Sequence, residues 1–498
     1  MIADAPAPVT LSACRRLLAE LGLLADAAAP LPELAFSGIS CDSRDVAPGS
    51  LFVCKGAAFR EEYLDQALAA GAAAYVSQTD YGKAAPCLRV TDIRAALGPL
   101  SDLAYGHPSG RLHIAGLTGT KGKTTTAFFL KSMLDCWREA QSLPPCGLLS
   151  SVLTDDGAQR RTASLTTPEA TELQRHLWHA AEAGCEYLVM EVSSQALAYG
   201  RVTGTELEVA AFLNIGEDHI SPKEHPDLED YFRSKLRIFE LARTAVVNLD
   251  EPRCREVLAA AARCERILTY SMQDPSADIY GRIVARRGGS IDFSVVCAGG
   301  EEAFVLPMAG DFNVSNALAA IAVCRLLGVP GACVKEGLAR AKVPGRMEVI
   351  SGGGRTVIVD YAHNGMSLAA LLQSVRAGYP RQPVTVVFGC TGGKGLIRRS
   401  GMGEAAASYA DRIILTEDDP GPEEVEAICA EVGRVIAAAG REYDIIADRE
   451  EAIRTALAGC PDPGVVVLAG TGDDQWQLRK NGRQSYPSDG VLARKYLA

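Results

Sequence analysis

The 498 residues contain no Cys-x-x-Cys pair, no excess of basic charge and no apolar stretch near the roughly 20 residues of a membrane span. Each absence removes a class of function. The fifteen cysteines are scattered, so neither a zinc ribbon nor a dithiol redox motif is indicated. Cys14, Cys54, Cys185, Cys324 and Cys429 stand in apolar or helical runs, where small buried thiols are expected, and this usage fits a reducing cytoplasm. A net charge of −11 speaks against a nucleic-acid surface, yet a local cluster of donors can still hold an anionic substrate. The first residues lack a basic segment followed by an apolar core, so a cytoplasmic protein without membrane insertion is expected. There is no internal repeat and no low-complexity tract beyond short Ala and Gly runs.

What is present fits an enzyme of several parts. The hydrophobic fraction is 48% and the charged fraction 22%, and the length predicts about three domains. The informative stretch is Gly116-Leu117-Thr118-Gly119-Thr120-Lys121-Gly122-Lys123-Thr124-Thr125-Thr126. Residues 112–115 read as a buried strand, and residues 127–134 have the apolar density of a helix packed on a sheet. Strand, glycine loop and helix together make a phosphate-binding loop. Its glycines let backbone N–H groups face an anion, the helix N-terminus adds its positive end, and Lys123 supplies a point charge. Thr124 or Thr125 then faces a magnesium ion. Leu117 stands five residues before Gly122, so the loop is a shortened variant.

Residues 1–110 read as a small α/β domain, with Ser12 expected to cap a first helix that runs to Leu24. Asp42-Ser43-Arg44 offers a carboxylate, a hydroxyl and a guanidinium to a nucleotide or sugar, or serves as an ordinary polar turn. Residues 111–345 continue in α/β alternation. The strand 187–190 ends in Glu191-Val192-Ser193-Ser194, and the strand 209–214 leads to Glu217-Asp218-His219. Both deliver polar groups beyond a carboxyl end, where open parallel sheets bind ligands. Glu191 and His219 are candidate magnesium ligands. In the helix 228–239, Lys235 shares a face with Leu228, Tyr231, Phe232 and Phe239, either as a snorkelling side chain or as a reactive amine pressed toward the metal.

Asn313 and Asn316, ahead of an alanine-rich helix, are candidate caps or readers of a base edge, and residues 343–348 look like a linker. Residues 346–498 form a further α/β unit with strands expected at 356–359, 384–388, 412–415, 444–446 and 465–468. Polar residues follow them: Asp360 and His363; Gly389 to Lys394; Glu417, Asp418 and Asp419; Thr471, Asp473 and Asp474. One crevice lined from several strand ends is expected of a doubly wound sheet.

These motifs resemble those of the Mur ligases of bacterial cell-wall synthesis, in order and over nearly the whole chain. Asp42-Ser43-Arg44 with Pro48-Gly49-Ser50-Leu51-Phe52 is similar to the family's uridine-nucleotide motif, and Gly119, Thr120, Gly122, Lys123, Thr124 and Thr125 to its ATP loop, with Lys121 where asparagine is usual. Thr166-Thr167-Pro168 and Glu191 to Leu197 resemble the muramoyl-peptide and metal motifs, with Gln195 for the usual histidine; Ser193 and Arg201 fall on substrate-binding positions. His219 falls on the metal histidine, and Lys235 on the lysine that the family carbamylates. Asn313 and Asn316 resemble the adenine-proximal helix, Gly345-Arg346-Met347-Glu348 the linker, and Asp360 with His363 the nucleotide-facing motif of the third domain, although Asn364-Gly365 replaces the usual Thr-Pro.

The resemblance implies an α/β fold of three domains: a uridine-nucleotide domain over 1–110, a central P-loop ATPase-like parallel sheet over 111–345, and a Rossmann-like doubly wound sheet over 346–498. It implies a monomeric, ATP- and Mg²⁺-dependent ligase that adds the third amino acid to UDP-N-acetylmuramoyl-L-alanyl-D-glutamate through an acyl phosphate. The magnesium ligands it implies are Thr124, Glu191, His219 and carbamylated Lys235. The amino acid would meet Asp418, Asp419, Gly470 and Asp474. Relatives that add diaminopimelate carry Asp-Asn-Pro-Arg where this chain has Asp418-Asp419-Pro420-Gly421, and Gly-Lys-Gly-His-Glu where it has Gly470-Thr471-Gly472-Asp473-Asp474. A guanidinium is lost and carboxylates are gained, so a side-chain ammonium is expected. L-lysine is the first expectation, L-ornithine the second. Diaminopimelate, or a nucleotide-binding homologue with impaired catalysis, is the alternative.

Overall fold

The computed structural model describes residues 6–26, 31–56, 59–217, 220, 224–287, 289–393 and 396–497. The α/β chain forms two compact units, Met1–Ile279 with Ala319–Val334, and Tyr280–Leu318 with Lys335–Ala498.

The first unit opens with the helix Leu11–Glu20, capped by the Thr10 hydroxyl, which accepts the Ala13 N–H at 3.1 Å. The expected Ser12 cap and extension to Leu24 are therefore both corrected. Thr10 has the extended backbone that lets a cap reach the first turn, and Gly22, at φ 68°, turns the chain away after Glu20. Four short parallel strands, Ile39–Ser40, Leu51–Val53, Ala74–Ser77 and Cys87–Arg89, pair in sequence order. Their apolar side chains share a core with the helices Leu11–Glu20 and Ile93–Ala104 and with Ala170 and Trp178 of the helix Ala170–Glu182. The small sheet is thereby anchored to the part that follows it.

That part is a larger sheet in the order Arg160–Thr162, Leu153–Asp155, Gly147–Leu149, Tyr187–Glu191, His113–Thr118, Leu207–Phe212, Ala242–Asn248, Arg266–Ser271. From Gly147–Leu149 to Arg266–Ser271 all neighbours are parallel. The central strands are buried almost throughout, as a sheet covered by helices on both faces requires. The chain leaves His113–Thr118 toward one side of the sheet and resumes on its other side at Leu207–Phe212. The carboxyl end of His113–Thr118 is therefore a switch point, and the helix Lys123–Ala140 starts there.

In the second unit, strands Ser290–Cys297 and Gly300–Leu306 pair antiparallel. A six-stranded sheet runs Glu348–Gly352, Arg355–Asp360, Gly464–Ala469, Val384–Phe388, Arg412–Leu415, Asp444–Ile445. All its pairings are parallel except that of the first strand, which begins at the last residue of the expected linker 343–348 and was not expected from the sequence. Asn364, unusual in its motif, caps the helix Gly365–Gly378 in a reciprocal capping box with Ser367. Gly365 beside it lies so close to Gly401 that a Cβ would stand 2.6 Å from that backbone. No described helix is long and apolar enough to cross a membrane.

The edge hairpin of the first unit is fastened by Asp156, which is fully buried. His176 Nδ1 and His179 Nδ1 donate to its Oδ2 at 2.6 and 2.9 Å, and the N–H groups of Ala158 and Gln159 donate to Oδ1 at 3.1 and 2.7 Å. Burial raises its pKa, but the histidine bonds outweigh burial and hold the carboxyl well below the usual range. Its stabilisation is therefore present above the unfolded pKa of about 3.9 and lost as pH falls through the depressed folded value. Asp156→Asn is expected to lower unfolding free energy at pH 7 by roughly 2–4 kcal/mol, with a smaller deficit toward pH 2. Urea titrations at several pH values check this, and a deficit independent of pH contradicts it.

Candidate active site

Gly122, at φ 86°, and Gly119, at φ 158°, shape the phosphate loop; a Cβ at Gly119 would stand 3.0 Å from Leu213 Cβ. The next strand's loop fixes the rest. Asn214 Oδ1 accepts the Lys121 N–H at 2.9 Å while its Nδ2 donates to the Lys121 carbonyl at 3.0 Å, and the Thr120 N–H donates to the Asn214 carbonyl at 3.0 Å. Residue 121 is thus held through its backbone N–H and carbonyl, contacts that any residue type at this position can make. Lys123 Nζ donates to the carbonyls of Gly119 and Thr120 at 2.7 and 3.3 Å. Lys235, 1% exposed on the helix Leu228–Leu236, donates to the same Gly119 carbonyl at 2.9 Å. Its ammonium lies 4.5 Å from the Tyr231 ring centroid, and the Tyr231 hydroxyl donates to Thr120 Oγ1 at 3.2 Å.

Beside the loop, Thr124 and Glu191 converge on Ser151, a residue with no motif to announce it. Thr124 Oγ1 meets Ser151 Oγ at 3.0 Å, and Glu191 Oε1 accepts the Ser151 N–H at 2.9 Å. Glu191 is 1% exposed and pairs with no cation among the described residues. A buried carboxylate in that condition, next to a hydroxyl, suits a hard divalent cation. Thr125 is buried in the same helix turn. Asp218 and His219 lie outside the described residues.

Glu191 is tied to the next group through its backbone. The Thr167 hydroxyl donates to the Glu191 carbonyl and accepts the Ser193 N–H, both at 2.9 Å, and Arg201 donates to the Thr167 carbonyl at 3.4 Å. Thr166 precedes this group in a half-buried position. His225, absent from the sequence reading, links it to the Lys235 helix: Nε2 meets Ser194 Oγ at 2.9 Å and Nδ1 meets Asp230 Oδ2 at 2.7 Å. Asp42 and Ser43 form a separate cluster on the small sheet, where Asp42 pairs with Arg44 at 2.6 Å and Ser43 donates to Gln66 at 2.9 Å.

In the second unit, Asp360 accepts the N–H groups of Met347 and Ala362, each at 2.8 Å, and Arg346 stacks 4.2 Å from the Tyr361 ring centroid. His363 Nδ1 lies 2.9 Å from the Tyr361 carbonyl. Asn313 and Asn316 are buried within the helix Asp311–Leu326, and Asn313 Nδ2 donates to the Ala309 carbonyl at 2.7 Å. Asn316 Nδ2 donates to Asn313 Oδ1 at 3.1 Å, so these amides bond to each other and to Ala309 rather than cap the helix, which corrects the capping alternative.

Asp418 is the centre of an acidic cluster. Its Oδ2 is buried without a hydrogen-bond partner, and Gly470, at φ 117°, is required beside it because a Cβ would stand 2.3 Å from that oxygen. Burial pushes Asp418 up to about 7, with Arg449 opposing and Asp419, Asp489 and Asp474 adding to the rise. Asp474 is likewise pushed up to about 6 by burial. Fully buried Arg449 braces the cluster: it pairs with Asp489 through Nε at 2.9 Å and Nη2 at 2.6 Å and donates to the carbonyls of Glu417 and Ala469. Asp419 is set by Gln477 and Leu478 of the hairpin strand Trp476–Arg479, which sequence reading missed.

Residues 117–324 match the Mur ligase middle domain and residues 345–472 the Mur ligase glutamate ligase domain. The chain belongs to the Mur ligase family, ATP-dependent ligases that form amide bonds. It is 37% identical over 472 residues to the UDP-N-acetylmuramoyl-L-alanyl-D-glutamate--L-lysine ligase of Streptococcus thermophilus and 38% identical over 467 residues to that of Streptococcus sanguinis, with 93% of each chain covered. A solved structure of a UDP-N-acetylmuramoyl-L-alanyl-D-glutamate--2,6-diaminopimelate ligase is similar at TM-score 0.67, with 28% identity over 99% of both chains.

The raised pKa of Asp418 has a sign that can be tested. A carboxyl that titrates higher folded than unfolded subtracts stability as pH rises from the unfolded pKa of about 3.9 through the folded value. Asp418→Asn is expected to stabilise the protein at pH 8 by roughly 1–4 kcal/mol and to change little at pH 4. Thermal unfolding across that range checks it; a variant less stable than wild type at pH 8 contradicts it.

Proposed function

We propose that this chain adds L-lysine to the D-glutamyl residue of UDP-N-acetylmuramoyl-L-alanyl-D-glutamate in peptidoglycan synthesis, as a monomer in the cytoplasm. The observation that carries the choice of amino acid is the acidic cluster. Asp418, Asp419 and Asp474 offer carboxylates to a side-chain ammonium, and a buried, unpartnered Oδ2 of Asp418 gains most from a cation. Gly421 has φ 60°, a conformation that disfavours arginine, so the backbone itself withholds a guanidinium from a second substrate carboxylate. The streptococcal relatives carry L-lysine in their names.

In this reading residues 1–110 hold the uridine nucleotide through Asp42 and Ser43, residues 111–345 hold the ATP phosphates on Gly119 to Thr125, and residues 346–498 receive the amino acid. Thr166, Thr167, Ser193 and Arg201 orient the muramoyl peptide. Asn313, Asn316, Arg346, Asp360 and His363 serve the nucleotide side of the second unit. An oxygen of the D-glutamyl γ-carboxylate attacks the ATP γ-phosphorus, and ADP leaves. The lysine α-amine then attacks the acyl carbon, loses a proton, and expels phosphate that carries that oxygen. Lys123 neutralises charge on the transferred phosphoryl group, and the loop N–H groups hold it in line. Thr124, Glu191 and, once carbamylated, Lys235 would hold magnesium together with His219. When bound, the metal would neutralise phosphate charge.

Purified enzyme is expected to release phosphate only with UDP-muramoyl-dipeptide and an amino acid both present, with kcat/KM highest for L-lysine and about 10–200-fold lower for L-ornithine. Lys235→Ala is expected to lower the rate about 10²-fold or more. Preference for diaminopimelate contradicts the role given to the acidic cluster, and an undiminished Lys235→Ala rate contradicts the role of that lysine.

A further inference from the structure

A cavity of about 190 Å³ in the first unit is lined by three cationic side chains, Lys55, Arg94 and Arg201, and by one carboxylate, Glu169. Lys55 lies just beyond the strand Leu51–Val53 of the small sheet, Arg94 on the helix Ile93–Ala104, and Arg201 beyond the short helix Ser194–Ala198. Glu169 occupies the N-cap position of the helix Ala170–Glu182, yet its side chain makes no capping bond. Its carboxylate turns instead into the cavity, where one oxygen meets Arg201 Nη2 at 2.9 Å and the other pairs with Lys55 Nζ. Arg94 has no carboxylate partner among the described residues and stacks 5.5 Å from the Tyr199 ring centroid.

The charge count in this cavity leaves two positive groups in excess, and Lys55 and Arg201 already accommodate a carboxylate between them. We propose that the Glu169 carboxylate stands in the place of the non-reacting carboxylate of the substrate's D-glutamyl residue, and that the incoming substrate displaces it from Lys55 and Arg201. Lys55 and Arg94 are then anion ligands alongside Arg201, and Glu169 is a built-in competitor that sets substrate affinity. An anion with a charge of −1 can enter the cavity either by expelling Glu169 or, through Arg94, beside it. Both routes make the Glu169 charge unfavourable to binding. No covalent step is involved. The inference rests on the reading that the chain binds UDP-N-acetylmuramoyl-L-alanyl-D-glutamate.

The test is calorimetric titration of the full chain with UDP-N-acetylmuramoyl-L-alanyl-D-glutamate and with UDP-N-acetylmuramoyl-L-alanine, which lacks the glutamyl carboxylates. Glu169→Gln is expected to bind the complete ligand about 3–10-fold more tightly than wild type, and Lys55→Met about 10-fold more weakly. With the truncated ligand the advantage of Glu169→Gln is expected to vanish. Damage to the fold would weaken binding, so a gain in affinity is not its signature. Equal or weaker binding of the complete ligand by Glu169→Gln overturns the proposal, and so does a gain that persists with the truncated ligand, which would locate the anion in the diphosphate. If wild type binds neither ligand, the substrate reading itself fails and this inference falls with it; that outcome is distinguished by being visible before any variant is made.

Discussion

Two ammonium groups, those of Lys123 and Lys235, donate to one oxygen, the carbonyl of Gly119. Cations sharing an acceptor stand within about 6 Å of each other, a repulsion of roughly 3 kcal/mol at an effective dielectric near 20. In the reading proposed above, a triphosphate on the loop would add anionic charge beside such a pair. Much of the surrounding structure serves to keep that oxygen in place. Asn214 clamps residues 120 and 121, Tyr231 reaches Thr120, and His225 fastens the Lys235 helix to Ser194. Carbamylation of Lys235 would replace one of the two positive charges by a negative one, turning repulsion into attraction and adding an oxygen donor for magnesium.

The second unit meets the opposite electrostatic problem. Asp418, Asp419, Asp473 and Asp474 crowd the ends of the strands Arg412–Leu415 and Gly464–Ala469. Only a rigid floor keeps such a cluster from relaxing into solvent. The buried Arg449–Asp489 pair supplies it, with every Arg449 nitrogen spent on Asp489 or on the carbonyls of Glu417 and Ala469. Thr471 and Tyr486 satisfy the remaining Asp489 valences. The carboxylates are thus held close together and largely out of solvent, an arrangement that costs stability.

Contiguous features were the ones readable in the sequence. The phosphate loop announces itself because strand, glycines and helix follow one another within about a dozen residues. The polar residues at strand ends were legible for the same reason, since parallel α/β sheets place them after each apolar run. What could not be read depends on partners distant in the chain. Ser151 beside Glu191, His225 beside Ser194, Glu169 between Lys55 and Arg201, and Asp489 beneath Arg449 are separated by 40, 31, 114 and 40 residues. The strand Glu348–Gly352 was missed because its residues are half-exposed and do not alternate, and the hairpin Trp476–Ser485 because its strands are short and polar. Capping by Asn313 and Asn316 stayed open as one of two alternatives because helix start and helix interior differ by a single turn, which composition does not resolve.

If ATP activates the D-glutamyl carboxylate before the amine attacks, an oxygen of that carboxylate leaves with the phosphate. With the γ-carboxylate of UDP-N-acetylmuramoyl-L-alanyl-D-glutamate labelled with ¹⁸O, mass spectrometry of the phosphate released in the presence of L-lysine tests it most directly. One labelled oxygen is expected in each phosphate, with the loss of one from the amide product. Phosphate free of label, formed alongside the product, would contradict it.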